Sequence, residues 1–248
     1  MILMYHGIVR EADDIPDGRE PGASLYDVRE EDFREQMEYL HKNGYSVVRM
    51  GETALPGTQP VVLTFDDGEA NNCLCAFPVL SEYGGPASFF VTVNRVGKKG
   101  YMNWKQLRGL LKRGMMIGSH SLNHRILTQI NDDELYKELA ESKRLLEEHL
   151  DGPVEALSVP RGFCNAQVVR MARQVGYRTV FVTDGKDEDG VFTFARTAVK
   201  ADWPLKRFIA ALHRETSVSE KIFSTCKETV RNVLGEQGYD WIRNRLMK

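Results

Sequence analysis

The stretch VVLTFDDGEA, residues 61–70, places two neighbouring carboxylates directly after an apolar run. Adjacent negative charges repel each other unless positive charge lies beside them. Because the chain can bend where a strand ends, one of Asp66 and Asp67 could bind a metal ion while the other accepts a proton. An Asp-Asp-Gly sequence taken alone is also typical of a turn, since Asp and Gly suit turns.

A second polar motif, HSLNH, carries His120 and His124. Two histidines four residues apart can face the same way on one helical turn, which is a common metal-ligand spacing. One carboxylate and two imidazoles leave positions open for water, as in catalytic rather than structural metal sites. Such a histidine pair alone is often a capping or surface feature, but the two motifs together favour a site for one divalent ion.

The elements that must position these residues alternate along the chain. Short apolar runs predict strands at residues 2–6, 45–48, 61–65, 87–93, 115–120, 155–160 and 178–183. Segments with helical period predict helices at residues 29–44, 72–85, 103–114, 131–152 and 165–176, with a helical tail from about 204 to 248. This rhythm predicts parallel strands with crossover helices, in an open sheet or in a barrel. In both, ligands gather where strands end, and the polar clusters lie at such positions.

Composition narrows the class of protein. The 248 residues are 42% hydrophobic and 27% charged, with a net charge of −2, as in ordinary soluble domains and without the basic surface of a nucleic-acid-binding protein. No apolar run approaches the ~20 residues of a membrane span. The sequence MILMYHGIVR lacks the features of a signal peptide, so we expect either a cytoplasmic location or a leader that has been removed. Without a linker-like break, we expect a single domain over residues 1–248.

The motifs TFDDG and HSLNH resemble those of the polysaccharide deacetylase family, the NodB-like carbohydrate esterases. The resemblance extends over roughly residues 2–200, through LMYHGI, FREQMEYLHKNGY, ASFFVT, W-x-Q-L, SK-x-x-LE and ARQVGY in the family's order. It implies a distorted (β/α) barrel of about seven parallel strands and removal of N-acetyl groups from an acetylated amino-sugar glycan or its precursor. It also implies site roles: a general base, Asp66, and three ligands of a divalent ion, commonly zinc, which are Asp67, His120 and His124.

The sequence departs from the family pattern in two places. Where the family often has Arg-x-Pro-(Tyr/Phe)-Gly, this chain reads SVPRGFCN, with Ser158 in place of the arginine and Arg161 in place of the aromatic residue. The backbone N–H of Arg161 can still face an oxyanion, and Arg196 is a further candidate for contacts to Asp66 or to substrate. The family's late Leu-x-His motif is missing, but LMYHG resembles it in a permuted order, which makes His6 the candidate acid.

Two other functions stay open at this point. The chain could hydrolyse another carbon–nitrogen amide bond, such as that of a cyclic ureide or imide, as parts of this superfamily do. It could also be a non-catalytic sugar-binding module, which loss of Asp66 would favour, although Asp66 is present.

Overall fold

The computed structural model describes residues 1–183 and 192–213, in which strands and helices alternate as the sequence predicts. The strands are β1 Ile2–Tyr5, β2 Ile8–Val9, β3 Val28–Arg29, β4 Tyr45–Val47, β5 Gln59–Phe65, β6 Ser88–Val91, β7 Met116–Ser119, β8 Ala156–Ser158, β9 Thr179–Val182, β10 Thr193–Ala195 and β11 Thr197–Ala198. The helices are α1 Glu30–Lys42, α2 Phe77–Tyr83, α3 Trp104–Lys112, α4 Asp132–Leu150, α5 Ala166–Val175 and α6 Leu205–Leu212.

The main sheet is parallel and runs in the order β10-β9-β8-β7-β6-β5-β1-β11, with β4 paired to the start of β5. A single residue, Arg196, separates β10 from β11, so these two are halves of one bent strand. One half pairs with β9 and the other with β1, which brings the two ends of the sheet together. The bent strand, β1 and the five strands β5 to β9 together form a ring of seven strands, which confirms the predicted distorted barrel.

Packing between β1, β5 and α1 shows why these elements form. The helical face predicted from the spacing of Phe33, Met37 and Leu40 is buried, as expected for an amphipathic helix on a sheet. The Phe33 ring packs edge-on against Tyr5 and Phe65, with centroids 5.2 and 5.9 Å apart. The first strand therefore lies directly beside the strand that carries the two aspartates.

Some elements differ from the prediction. The strands β2, β3 and the bent β10–β11 strand were not predicted, and the helix expected from residue 72 begins as a π-helical turn, Asn72–Ala76, before α2. Helix α6 lies within the predicted helical tail, and residues 214–248 of that tail are outside the described residues. Among the described residues, no helix combines the length and apolar character needed to cross a bilayer.

The bent strand is tied to β5 by a buried ion pair. The fully buried guanidinium of Arg196 donates from Nη1 and Nη2 to the two carboxylate oxygens of Asp66, at 2.8 and 2.7 Å. Its carbon lies 5.6 and 5.7 Å from the ring centroids of Phe90 and Phe181, within cation–π range. Burial alone would raise the pKa of Asp66, but Arg196 and, less strongly, His120 and His6 lower it to about 2.

We expect Arg196→Met to lower the free energy of unfolding by about 3–5 kcal/mol, because it leaves a buried carboxylate without its cation. The double variant Asp66→Asn/Arg196→Met removes both charges and should be more stable than Arg196→Met alone. Urea denaturation in excess chelator measures the free energy of unfolding of both variants. Arg144→Met is the matched control on the α4 surface, where water screens the exposed pairs with Glu141 and Glu148 and they contribute little to stability. A double variant no more stable than Arg196→Met would contradict the buried pair.

Candidate active site

A sharp turn after β5 separates the two neighbouring aspartates. Asp67 has a φ of 69°, and the Gly68 N–H donates to the carbonyl of Asp66 at 2.9 Å, so the chain reverses within three residues. A positive φ is uncommon outside glycine, although aspartate adopts it more readily than most residues. The carboxylates consequently meet different partners, with Asp66 facing Arg196 and Asp67 facing the two histidines.

The two histidines of HSLNH lie on a loop after β7 and not on the helical turn that their spacing would also allow. His124 has a φ of 61°, which a right-handed helix excludes. The loop is held instead by the buried carboxylate of Glu138 from α4, which accepts the N–H groups of Leu122 at 3.0 Å and Asn123 at 2.9 Å. This loop still brings the rings of His120 and His124 together, with centroids 4.8 Å apart.

Three potential ligand atoms converge where the strands end. Asp67 Oδ1 lies 3.8 Å from His120 Nε2 and 3.1 Å from His124 Nε2, and all three lie within 4.8 Å of one another. Ligand atoms around a tetrahedral zinc ion at its usual bond lengths are roughly 3.3–3.5 Å apart. These donors are therefore spaced suitably for a single divalent ion.

The opposite nitrogen of each imidazole is engaged in a hydrogen bond. His120 Nδ1 donates to the Ser158 carbonyl at 2.8 Å, and His124 Nδ1 donates to Glu20 Oε1 at 2.6 Å. A carbonyl oxygen only accepts, so the proton of neutral His120 is on Nδ1 and its Nε2 carries a lone pair. Histidines that bind metals usually donate their other N–H to a carbonyl or carboxylate in this way.

Electrostatics at the three donors favour a cation. Burial lowers the pKa of His120 to about 4, which leaves this imidazole neutral at pH 7. Burial would also lower the pKa of His124, but Asp67 and Glu20 outweigh it and raise that pKa to about 9. Burial would raise the pKa of Asp67, yet the two histidines hold it well below its usual value. A neutral imidazole at His120 and an ionised carboxylate at Asp67 are the forms that bind a divalent metal ion, so the donor set fits such an ion.

Sequence reasoning missed Glu20, which lies in the Pro/Gly/Asp-rich loop between β2 and β3. Besides His124, Glu20 contacts two arginines: its Oε1 is 3.3 Å from Arg95 Nη2, and its Oε2 is 3.3 Å from Arg161 Nε. Arg95 also donates to Asp67 Oδ1 at 3.1 Å. No local pattern marks Glu20, because its partner His124 is 104 residues away in the chain.

His6 follows β1, which lies between β5 and β11, so it reaches the same end of the barrel as the aspartates. Its positive form is close enough to lower the pKa values of Asp66 and Asp67. The ring packs against Tyr26, with centroids 4.8 Å apart, and its buried Nδ1 has no hydrogen-bond partner among the described residues. The half-buried imidazole is therefore near the candidate site, and its role as an acid stays a prediction.

The SVPRGFCN segment places Ser158 and Arg161 at the same end of β8. Ser158 Oγ donates to Asp66 Oδ2 at 3.0 Å and accepts from Arg196 Nη2 at 2.8 Å. Arg161 has a φ of 60°, and its side chain contacts Glu20. The serine that replaces the family arginine thus contacts Asp66 together with an arginine from the bent strand, while the oxyanion contact of Arg161 stays a prediction.

Comparisons with known proteins agree with this arrangement. The family model described as "Polysaccharide deacetylase" matches residues 55–180, about half of the chain, including both aspartates and both histidines. A Bacillus subtilis (strain 168) protein named "Putative polysaccharide deacetylase YxkH" is 29% identical over 208 residues, which are 80% of this chain and 70% of that protein.

Two further relatives come from Bacillus cereus. One is named peptidoglycan-N-acetylglucosamine deacetylase and is 28% identical over 128 residues, which cover 51% of this chain and 58% of that protein. The other is a crystal structure of a polysaccharide deacetylase, 25% identical with a TM-score of 0.72, covering 85% of this chain and 68% of the other. The motifs, the barrel and these matches agree, and the chain belongs to the polysaccharide deacetylase family, whose members hydrolyse carbon–nitrogen bonds.

Proposed function

We propose that this chain is a metal-dependent hydrolase that removes the N-acetyl group from an N-acetylated amino sugar in a glycan or its precursor. The observation that carries the proposal is the separation of the adjacent aspartates, with Asp67 beside two imidazoles and Asp66 held apart by Arg196. The similarity to the Bacillus cereus protein named peptidoglycan-N-acetylglucosamine deacetylase supports the substrate class.

The cofactor of this proposal is one divalent ion, commonly zinc, held by Asp67, His120 and His124. When bound, it would polarise the acetamide carbonyl and lower the pKa of a water molecule. The hydrogen bonds at both Nδ1 atoms keep the two Nε2 atoms directed toward the Asp67 carboxylate.

Asp66 is proposed to accept the proton of the attacking water. Its Oδ2 lies 3.9 Å from His120 Nε2, so it is close to the donor set without being one of its three members. Arg196 and Ser158 fix the carboxylate through hydrogen bonds, and Arg196 keeps it ionised, in line with its pKa of about 2. A carboxylate with so low a pKa is a weak base, so proton transfer to it depends on a strongly acidified water.

Two further groups complete the proposed reaction. The backbone N–H of Arg161, in its left-handed turn, is the candidate donor to the tetrahedral oxyanion. An amine leaves poorly unless it is protonated as the C–N bond breaks, and His6 is the candidate that supplies this proton. Asp66 and His6 follow adjacent parallel strands in matched register, so both residues belong to the same end of the barrel.

Asp66→Asn and Asp67→Asn are adjacent and nearly isosteric changes that separate the two proposed roles. We expect Asp66→Asn to retain the metal and to lose roughly 10²–10⁴-fold in turnover, because it removes the proton acceptor and none of the three proposed ligands. Asp67→Asn should lose both metal and activity. The measurements are metal content of the purified protein and acetate release from N-acetylglucosamine oligomers, with and without a chelator.

Equal behaviour of the two variants would show that the division of labour between the aspartates is wrong. An unmodified protein that holds metal but releases no acetate, and instead opens a cyclic ureide or imide, would favour the alternative amide hydrolase. Sugar binding without either reaction would favour a non-catalytic module.

His6→Ala should lower turnover by about 10²–10⁴-fold while metal content stays at the level of the unmodified protein, because the leaving amine loses its proton donor. His213→Ala is the matched control, since His213 is exposed at the end of α6. Acetate release at saturating substrate is the measurement. Unchanged turnover in His6→Ala would remove His6 from the mechanism and leave two candidates for the acid: water, or Asp66 acting as base and then as acid.

A further inference from the structure

The loop between β2 and β3 reaches across the end of the barrel and carries Glu20 to the candidate metal centre. We call residues 10–27 the strap. From the strap, Glu20 Oε1 accepts from His124 Nδ1 at 2.6 Å and lies 3.3 Å from Arg95 Nη2. Arg95 in turn contacts Asp67 Oδ1 at 3.1 Å. A single carboxylate of the strap is thus linked to two of the three proposed ligands, directly to His124 and through Arg95 to Asp67.

A buried network holds the strap in place beside Glu20. Arg19 donates to both oxygens of Asp27, at 2.6 and 2.5 Å, and to Glu69 Oε1 at 3.0 Å. Glu69 is fully buried, and its other oxygen accepts from Asn71 Nδ2 at 2.7 Å. The residue next to Glu20 is therefore anchored to the turn that carries the two aspartates, which restricts where Glu20 can lie.

Close packing under the strap points to a fixed arrangement. A Cβ atom at Gly7 would lie 2.6 Å from Asp27 Oδ1 and 3.1 Å from Glu69 Oε2, distances that real side chains do not tolerate without movement. Glycine at this position lets the strap lie directly against the residues after β1. The strap is thus packed onto the barrel end rather than extending from it.

We infer that Glu20 is a positioning residue of the metal centre, contributed by the strap, which sets the ring orientation and tautomer of His124 and steadies Asp67 through Arg95. The inference rests on the proposed function, because it requires Asp67, His120 and His124 to hold the ion. A carboxylate that accepts the second N–H of a ligand histidine makes that imidazole a stronger ligand, and losing such a partner typically weakens metal binding by 10–100-fold.

The test is the affinity of the full chain for zinc and cobalt, measured by competition with a chelator, together with the visible spectrum of the cobalt form. We expect Glu20→Ala to weaken binding by about 10–100-fold and to change the cobalt spectrum. Glu20→Gln should weaken it less, since an amide oxygen still accepts from His124. Asp17→Asn is the control, because Asp17 is on the same strap in an exposed pair with Lys99, and its variant should bind like the unmodified protein.

Each contrary outcome identifies what fails. The positioning role would be overturned if the unmodified protein binds metal tightly and Glu20→Ala binds it within about twofold as tightly. It would also be overturned if Asp17→Asn lost as much metal affinity as Glu20→Ala. If the unmodified protein has no tight metal site, or has one that does not depend on Asp67, the metal centre itself would be overturned and this inference with it. Tight binding without acetate release would contradict the proposed reaction and leave the role of Glu20 intact. If circular dichroism shows that Glu20→Ala alters the folded structure, the metal affinity of Glu20→Gln tests the positioning role instead.

Discussion

Mutual repulsion of carboxylates at the end of β5 is the constraint on which the rest of the structure depends. Asp66, Asp67 and Glu69 lie within four residues, and each contacts a different arginine from a distant part of the chain. These arginines are Arg196, Arg95 and Arg19 respectively. Since like charges so close together cannot all stay ionised without compensation, the turn needs cations from three directions. The compensation is uneven, because burial raises the pKa of Glu69 to about 7 despite the opposing charge of Arg19.

Each of these pairings also shapes the fold. Arg196 links the bent closing strand to β5, and Arg19 fastens the strap to the turn after β5. Arg95 connects Asp67 to Glu20 of the strap. The same charges that suit a reaction centre therefore help to close the barrel and to cover its end, which explains why the left-handed conformation of Asp67 is maintained. Backbone strain of this kind persists where the surrounding contacts determine it.

Local sequence patterns predicted much of this arrangement, but they could not predict contacts between residues far apart in the chain. The periodicity of α1 and the apolar run of β5 identify elements because each pattern lies within one element. The closing strand escaped prediction because its few residues are interrupted by Arg196, whose burial depends on Asp66 130 residues away. The spacing of His120 and His124 indicated that they could share a site, but their loop conformation depends on Glu138 of α4, which no local pattern shows. Glu20 gave no signal, since a lone glutamate in a polar loop looks like a solvated residue.

X-ray absorption spectroscopy of the zinc-loaded protein would show whether one ion is held by Asp67 and two histidines while Asp66 is kept apart. We predict a first shell of nitrogen and oxygen at ~2.0–2.2 Å with outer-shell scattering from two imidazoles. We also predict the same spectrum for the Asp66→Asn protein. Sulfur scattering near ~2.3 Å, or a first shell without imidazole, would contradict the proposed centre.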